Sequence, residues 1–359
     1  MPVTVRSFAK INLGLRIGGL RDDGFHELRT IYQTIALHDV IRVQVGRGTG
    51  IEIHCDDARV PKDESNTCYR IVEHAMVAMK ACGRVVIEIE KRLPVQGGLG
   101  GASANAVGTL LALERALRKQ LPGPERLRIA AEVGSDLPLF LVGGTVLGVE
   151  RGEEVYPLPD LPSVPCVIAT PEIGISTPQA FADWDARSAE LRSTGRTRAS
   201  APRQTSTGGD ACRSIGVEEK LTPSTPSDRI LEFGRMLSVW LTAQSKIKSG
   251  KGLSGVPARS RGRAETPLLD LVRAGIENDF EQVVFPKYPE LREVKRLLER
   301  SGGFYASLSG SGSALYGLFA ARAGAEKAAA RLRKAGVAAV ATTTLTRLQY
   351  WRKFLVSGF

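Results

Sequence analysis

Long hydrophobic runs, paired metal-ligand cysteines and the two best-known nucleotide-binding glycine motifs are all missing from this 359-residue chain. Without a run of 18 apolar residues, no membrane-spanning helix is expected. The opening stretch MPVTVRSFAKINLGL lacks the basic, apolar, then small-residue order of a secretory signal, so a cytoplasmic protein with no membrane partner is expected. The five cysteines, Cys55, Cys68, Cys82, Cys166 and Cys212, are odd in number and contain no CxxC spacing. That argues against a disulfide framework or a zinc site and suits a reducing compartment. Only Cys55 has an adjacent histidine, His54, and it sits in a strand-like stretch; the other four have none, which speaks against a thiol nucleophile.

What is present is the composition of an ordinary globular protein, 43% hydrophobic and 24% charged. The net charge of +11 would suggest a nucleic-acid partner if it were spread over the surface, but it is not. Residues 186–263 hold 15 Lys/Arg against 6 Asp/Glu, so +9 lies there and +2 elsewhere. That segment has one tryptophan and one phenylalanine, so the interleaved stacking residues of a single-strand binder are lacking. Residues 186 to about 225 are rich in Ser, Thr, Arg, Gly and Pro. They cannot bury enough area to offset their ordering entropy, so a flexible insertion is expected at 186–263.

The length suits two domains, placed at 1–160 and 161–359. VTVRSFAKINLGLRI is strand-like, DVIRVQVGRG and GIEIHC suggest a hairpin, and RVVIEIEKRLP alternates as a half-buried strand. NTCYRIVEHAMVAMKACG has a helical stripe of Ile71, Ala75, Met79 and Cys82. Further helices are expected from about Ser103 to Lys119, over PERLRIAAEVG, from STPQAFADW, over DRILEFGRMLSVWLTA, through TPLLDLVRAGIENDFEQVVF, and over YPELREVKRLLERSG and AGAEKAAARLRKAG. SVPCVIATPE and VAAVATTTLTRL are strand candidates.

The stretch PVQGGLGGASANA, residues 94–106, sets four glycines at the mouth of a helix. A Walker A loop starting at Gly97 would need glycine where Ala102 stands, then a lysine; a dinucleotide loop starting at Gly98 would need glycine at Ser103. Neither motif is present. Both share a physical core that is: a strand, a turn exposing consecutive N–H groups, and a helix N-terminus, which together attract anions. Ser103 and Asn105 add side-chain donors. A turn needed only for close packing is the competing explanation. Lys10 stands out among Ala9, Ile11 and Leu13, and Asp136 stands between a serine and an apolar Leu-Pro run. An aspartate there is often a helix cap; an isolated acid at the edge of buried structure also suits a general base. A second small-residue loop, SLSGSGS at 307–313, lies far away in sequence.

Pro94, Gly98-Leu99-Gly100-Gly101, Ser103 and Asn105-Ala106 resemble the phosphate loop of the kinases named for galactose, homoserine, mevalonate and phosphomevalonate. With Ala9-Lys10-Ile11-Asn12-Leu13, Arg21 to Leu28, Lys91 to Pro94, Gly134-Ser135-Asp136-Leu137-Pro138, Ser176-Thr177-Pro178, Glu277 to Glu281 and Ser309-Gly310-Ser311-Gly312, the set resembles the branch acting on a cytidine-diphosphate-linked methylerythritol. The resemblance implies an α+β two-domain kinase: an N-terminal mixed sheet with helices on one face, and a C-terminal ferredoxin-like α/β sandwich. It implies transfer of the γ-phosphoryl group of ATP to the substrate's 2-hydroxyl in non-mevalonate isoprenoid synthesis, with Asp136 as proton acceptor and Lys10 as its electrostatic partner. ATP would lie over Pro94, Gly97, Gly98, Leu99, Gly100, Gly101, Ala102, Ser103 and Asn105, with Asn66 and Lys91 on the adenine side. His26 would read the cytosine between Phe25 and Phe181, with Asn12, Tyr32, Thr177, Ser309, Gly310 and Ser311 lining the pocket. ATP would bring Mg²⁺, with Ser103 as the candidate ligand. The partners implied are these small molecules, on a monomer or homodimer. A homoserine- or mevalonate-type kinase, or a nucleic-acid-binding protein using the basic segment, are the competing functions.

Overall fold

The structure is a computed structural model, which describes residues 1–95, 97–197, 230–235, 237 and 276–356. Most of the basic segment, at 198–229, 236 and 238–263, lies outside the described residues; the flexible insertion expected from 186 is corrected at its start, because 186–197 continue the helix Thr177–Thr197.

The N-terminal unit is built on a long antiparallel pair, β1 (Val3–Leu20) and β2 (His26–Gly46). The intervening turn is closed by Gly24 at φ +80, by Phe25 N–H on Asp23 Oδ1 (3.1 Å), and by Arg21 N–H on Phe25 O (2.7 Å). Period-two alternation explains the lone lysine of β1. Ala9, Ile11 and Leu13 fill the core on one face, which sends Lys10 and Asn12 to the other.

β3 (Ile51–Cys55), α1 (Thr67–Ala78) and β4 (Arg84–Glu90) follow, and the sheet order is β3-β4-β2-β5-β6 with β1 beside β2. The expected hairpin between β2 and β3 is therefore corrected. β4 inserts between them, antiparallel to β2 and parallel to β3, because α1 carries the chain back over the sheet. α1 ends at Ala78, with Met79 as its C-cap, so Cys82 lies past the helix and is exposed rather than extending the Ile71–Ala75 stripe. α2 (Gly101–Leu117) packs against β1, β2 and α1; α3 (Gly123–Val133), α4 (Leu137–Val142), β5 (Thr145–Val149) and β6 (Glu154–Pro157) complete the unit.

The second unit comprises β7 (Pro165–Ala169), α5 (Thr177–Thr197), α6 (Glu281–Lys287), α7 (Pro289–Arg300), β8 (Tyr305–Leu308), β9 (Leu315–Leu318), α8 (Arg322–Lys334) and β10 (Ala339–Thr343). Its sheet is antiparallel in the order β10-β7-β9-β8, with α7 and α8 packed on it. α7 buries Leu291, Val294 and Leu298, an i, i+3, i+7 stripe. The chain ends in α9 (Arg347–Phe354), which sequence reading missed. A Thr346–Gln349 capping box starts it, and it returns to α4 through Tyr350 Oη on Phe140 O (2.8 Å) and Trp351 Nε1 on Val142 O (3.1 Å).

The helix expected through 266–285 is also corrected. Its part before 276 lies outside the described residues, and 276–280 is extended and turning, so α6 begins only at Glu281. Leu15 N–H donates to Glu277 O (2.9 Å) and Asp279 N–H to Leu15 O (2.9 Å), which stitches the two units together. Asp279 is fully buried; it accepts from Arg16 Nη1 (2.8 Å) and Ile17 N–H (3.0 Å). These pairings exceed what a helical turn could give an aspartate and an asparagine that must be buried. Asp279→Ala should cost about 2–3 kcal/mol of stability, because it takes the acceptor from the buried Ile17 N–H and a charged hydrogen bond from Arg16, whose ion pair with Glu277 remains. The midpoint of denaturant unfolding measures this, and a loss under about 1 kcal/mol would show the pair to be dispensable.

Candidate active site

Lys10 is buried, yet its ammonium reaches a cavity of about 1000 Å³ that runs between the two units. Lys10 Nζ donates to Asn12 Oδ1 (2.7 Å) and lies 3.4 Å from Asp136 Oδ2. Asn12 Nδ2 donates to Thr30 Oγ1 (2.8 Å), and Thr30 donates to Gly14 O (2.8 Å), so the lysine's partner is itself fixed. Asp136 occupies the N-cap position of α4 but its side chain makes no capping bond. Both carboxylate oxygens are used otherwise: Oδ2 faces Lys10, and Oδ1 accepts from Tyr32 Oη (3.0 Å). Burial, and next the charge of Asp136, push the Tyr32 phenol well above its usual range, so Tyr32 is a donor to the carboxylate. The Asp136 side chain is 34% exposed, open enough to meet a substrate.

The glycine loop is held beside this pair by its backbone. Lys10 N–H donates to Leu99 O (3.0 Å). Gly100, at φ +67, leaves room for the lysine: a Cβ there would lie 3.1 Å from Lys10 Cγ and 3.0 Å from Phe140 Cζ. Gly100 is also the N-cap of α2, with no side-chain cap and no acid in the first turn. The leading amides of α2 therefore face the cavity with the positive end of the helix dipole behind them.

The distant SGSGS loop packs onto the glycine loop. Ala314 N–H donates to Gly97 O (3.1 Å) and Ser309 Oγ to Gly98 O (3.1 Å), while Asn278 Nδ2 holds Leu308 O and Gly310 O (2.9 and 2.8 Å). Gly98, at φ +75, sits so close that an added Cβ would overlap Ser309 O. Gly98→Ala should therefore part the two loops and raise the KM for ATP about tenfold, from the strain of a left-handed alanine alone. An ATP titration checks this, and an unchanged KM would mean the loop does not carry phosphate.

Other expected site residues are already engaged. Asn66 caps α1 by accepting from Cys68 N–H (2.8 Å) and donates to Pro61 O (2.6 Å). Asn105 Nδ2 donates to Asp39 (2.9 Å), its Oδ1 accepts from Ser7 (2.6 Å), and Lys91 Nζ donates to Asp39 (2.7 Å). The fully buried Asp39 also accepts from Arg92 N–H and Leu93 N–H (both 2.7 Å), anchoring the strand that enters the loop. Sequence reading passed over Asp39, although an acid inside the apolar strand ALHDVIRV is the same signal that singled out Lys10. Pro94, Gly97, Gly101, Ala102 and Ser103 line the cavity, and Thr177 and Ser311 meet across it with their hydroxyls 2.8 Å apart. Cys68 and Cys166 are not nucleophiles in waiting: burial pushes the Cys68 thiol up to about 12 and raises that of Cys166 as well. Cys212 lies outside the described residues.

At the other end of the cavity the aromatic residues meet. The His26 ring stacks on Phe181 (4.9 Å, 14° between planes), and Phe181 meets Phe280 edge-on (5.0 Å). Phe25 is 51% exposed, with the Arg151 guanidinium 5.0 Å from its ring centroid. His26 Nε2 lies 2.8 Å from Asp185 Oδ1, a partner that sequence reading did not find.

A phosphate-ready helix start, a buried lysine–aspartate pair and two sheets sharing one cleft define a small-molecule kinase, and the comparisons agree. A family model described as GHMP kinases N terminal domain matches residues 66–144, and one described as GHMP kinases C terminal matches 265–338. A 4-diphosphocytidyl-2-C-methyl-D-erythritol kinase of Solibacter usitatus is 36% identical over 317 residues, 88% of this chain and 80% of the relative. The enzyme of the same name from Moorella thermoacetica is 30% identical, covering 96% of this chain and 99% of its own. A crystal structure of 4-(cytidine 5'-diphospho)-2C-methyl-D-erythritol kinase superimposes with a TM-score of 0.65 at 27% identity, covering 95% of this chain and 98% of that one. A homoserine kinase from Cytophaga hutchinsonii, at 18% identity and TM-score 0.61, shares the fold. The chain belongs to the 4-diphosphocytidyl-2-C-methyl-D-erythritol kinase family. Among the described residues, no helix is long and apolar enough to cross a membrane.

Proposed function

We propose that this kinase transfers the γ-phosphoryl group of ATP to the 2-hydroxyl of 4-diphosphocytidyl-2-C-methyl-D-erythritol, in the cytoplasm, as a step of non-mevalonate isoprenoid precursor synthesis. The observation that carries this is the Lys10–Asp136 pair, 3.4 Å apart, in a cavity that has a glycine loop at one end and an aromatic cluster at the other. ATP phosphates would rest on the amides from Gly97 to Ser103. The cytosine would enter the Phe25, His26 and Phe181 end, which leaves the methylerythritol hydroxyl to reach Asp136.

Phosphoryl transfer asks the protein chiefly for alignment and charge stabilisation. Asp136 would accept the hydroxyl proton as the oxygen becomes a nucleophile. Lys10 would offset the charge developing between acceptor and phosphate, in a site where burial strengthens that interaction. Tyr32 fixes the carboxylate, and Asn12 fixes the ammonium. Among the described residues no group of three or more His, Cys, Asp or Glu side chains could hold a metal, so the donors described do not form a dedicated ion cage. We assign Mg²⁺ to the nucleotide's phosphates and water, the manner it favours, with the Ser103 hydroxyl beside it.

The test is ATP consumption with the cytidylyl substrate, run beside homoserine and mevalonate, with a mass spectrum of the product. Phosphorylation of the cytidylyl substrate alone is expected. Activity confined to homoserine or mevalonate would overturn the assignment.

A further inference from the structure

α5 presents two side chains to one imidazole. Phe181 and Asp185 are four residues apart, so they project from the same face of the helix, while Ala180 and Trp184 turn into the core. Phe181 stacks on the His26 ring and Asp185 meets its edge at 2.8 Å. His26, Phe181 and Asp185 all line the cavity. The imidazole is therefore fixed in plane by one residue and in hydrogen-bonding sense by the other.

The sense follows from donor and acceptor chemistry. An ionised carboxylate only accepts, so the nitrogen facing it must carry a hydrogen. A neutral imidazole has one N–H, and the other nitrogen is then a bare acceptor. His26 Nε2 is the nitrogen facing Asp185, which leaves Nδ1 as the acceptor. Nδ1 has no hydrogen-bond partner among the described residues, nor is it among the fully enclosed atoms lacking one, so it opens to the cavity.

We propose that Asp185 is a specificity-determining positioning residue: by holding His26 as the Nε2–H tautomer, it presents an acceptor at Nδ1 that selects a 4-amino pyrimidine over a 4-oxo pyrimidine. This rests on the cytidylyl reading of the acceptor substrate. Cytosine carries an N–H₂ donor at position 4, whereas uracil carries a carbonyl acceptor there, as thymine does. A bare Nδ1 satisfies the first and opposes the second. A site that pairs one analogue and leaves the other facing a buried acceptor discriminates more strongly than apolar packing can. Asp185 is itself 52% exposed, so its replacement leaves the core untouched and the effect is on tautomer, not fold. Without the carboxylate both tautomers are populated. Cytidylyl binding then weakens only by the lost fraction, about twofold, while the tautomer that accepts uracil rises about tenfold.

The experiment is ¹⁵N NMR of the imidazole nitrogens in the whole chain, which has only four histidines, with steady-state kinetics on cytidylyl and uridylyl methylerythritol diphosphates. In the wild type, His26 should show a protonated Nε2 and an unprotonated Nδ1. Asp185→Ala should average the two nitrogens and lower the cytidylyl preference in kcat/KM about twentyfold, through KM and not through kcat on the cytidylyl substrate. Asp185→Glu, which keeps an acceptor-only carboxylate on an exposed face of the helix, should restore most of both. A wild-type proton on Nδ1, or an Asp185→Ala variant in which either readout stays put, overturns the inference. Absence of wild-type turnover on the cytidylyl substrate would instead sink the acceptor assignment, and because the tautomer is read without substrate the two failures are distinguishable.

Discussion

Asp136→Asn should lower kcat by about 10²–10⁴ while leaving the KM values for both substrates within a few fold. The substitution removes the proton acceptor together with the charge that pairs with Lys10, and it leaves the shape of the site alone. Asparagine keeps the size of the side chain, and its Oδ1 can still accept from Tyr32, whose hydroxyl donates to Asp136 Oδ1 at 3.0 Å. α4 would not fray, because Asp136 makes no capping bond to lose. Nor can Tyr32 substitute as base: its phenol is pushed well above its usual range by burial and would have to lose its proton first. Steady-state kinetics with calorimetric binding of the cytidylyl substrate separates the two effects. A kcat near wild type would remove Asp136 from proton transfer, and a lost affinity with normal kcat would make it a binding residue.

The parts of this site that sequence made legible are those where one residue conflicts with its surroundings. Lys10 is a charge inside an apolar strand, Asp136 is an acid before a Leu-Pro run, and four glycines crowd the mouth of a helix at 97–101. Such conflicts persist only where geometry or chemistry compensates, so they point at the site. The rest was hidden because its meaning is non-local. Asn278 and Asp279 sit in a stretch with helical periodicity, and only the approach of Leu15, Arg16 and the 308–310 loop gives their side chains partners. The order β3-β4-β2 depends on where α1 returns the chain, which no local pattern encodes. α9 starts at Arg347, soon after β10 ends at Thr343, and packs on α4, about two hundred residues earlier in the sequence. Asp185 carried a local clue, its four-residue spacing from Phe181, but an exposed acid on a helix is ordinarily just solvated surface.

Those non-local contacts also explain why two glycine-rich loops far apart in sequence belong to one site. β1 binds Glu277 and Asp279, Asn278 binds the 308–310 carbonyls, that loop bonds Gly97 and Gly98, and Leu99 accepts from Lys10 on β1 again. The path closes on itself around the lysine. A shift in any link moves the glycine loop relative to Lys10, and alignment of that kind is what phosphoryl transfer most needs from a protein.

Lys10→Met should therefore lower kcat by about 10²–10³, the loss seen when one preorganised electrostatic donor is removed from a buried site. Methionine is unbranched and apolar, so it can follow the path of the lysine stem past Gly100 without a new clash. The backbone bond from residue 10 to Leu99 O survives, which keeps the glycine loop in place and should hold the KM for ATP within a few fold. What goes is the ammonium 3.4 Å from Asp136 and 2.7 Å from Asn12 Oδ1. The double variant Lys10→Met/Asp136→Asn supplies the sharper test. If the two groups act as one unit on the same proton and the same developing charge, the double variant should be little slower than the worse single one. Losses that simply multiply would show the pair working on separate steps, and a double variant with normal ATP binding but no turnover at all would leave the glycine loop intact as a binding site with its chemistry removed.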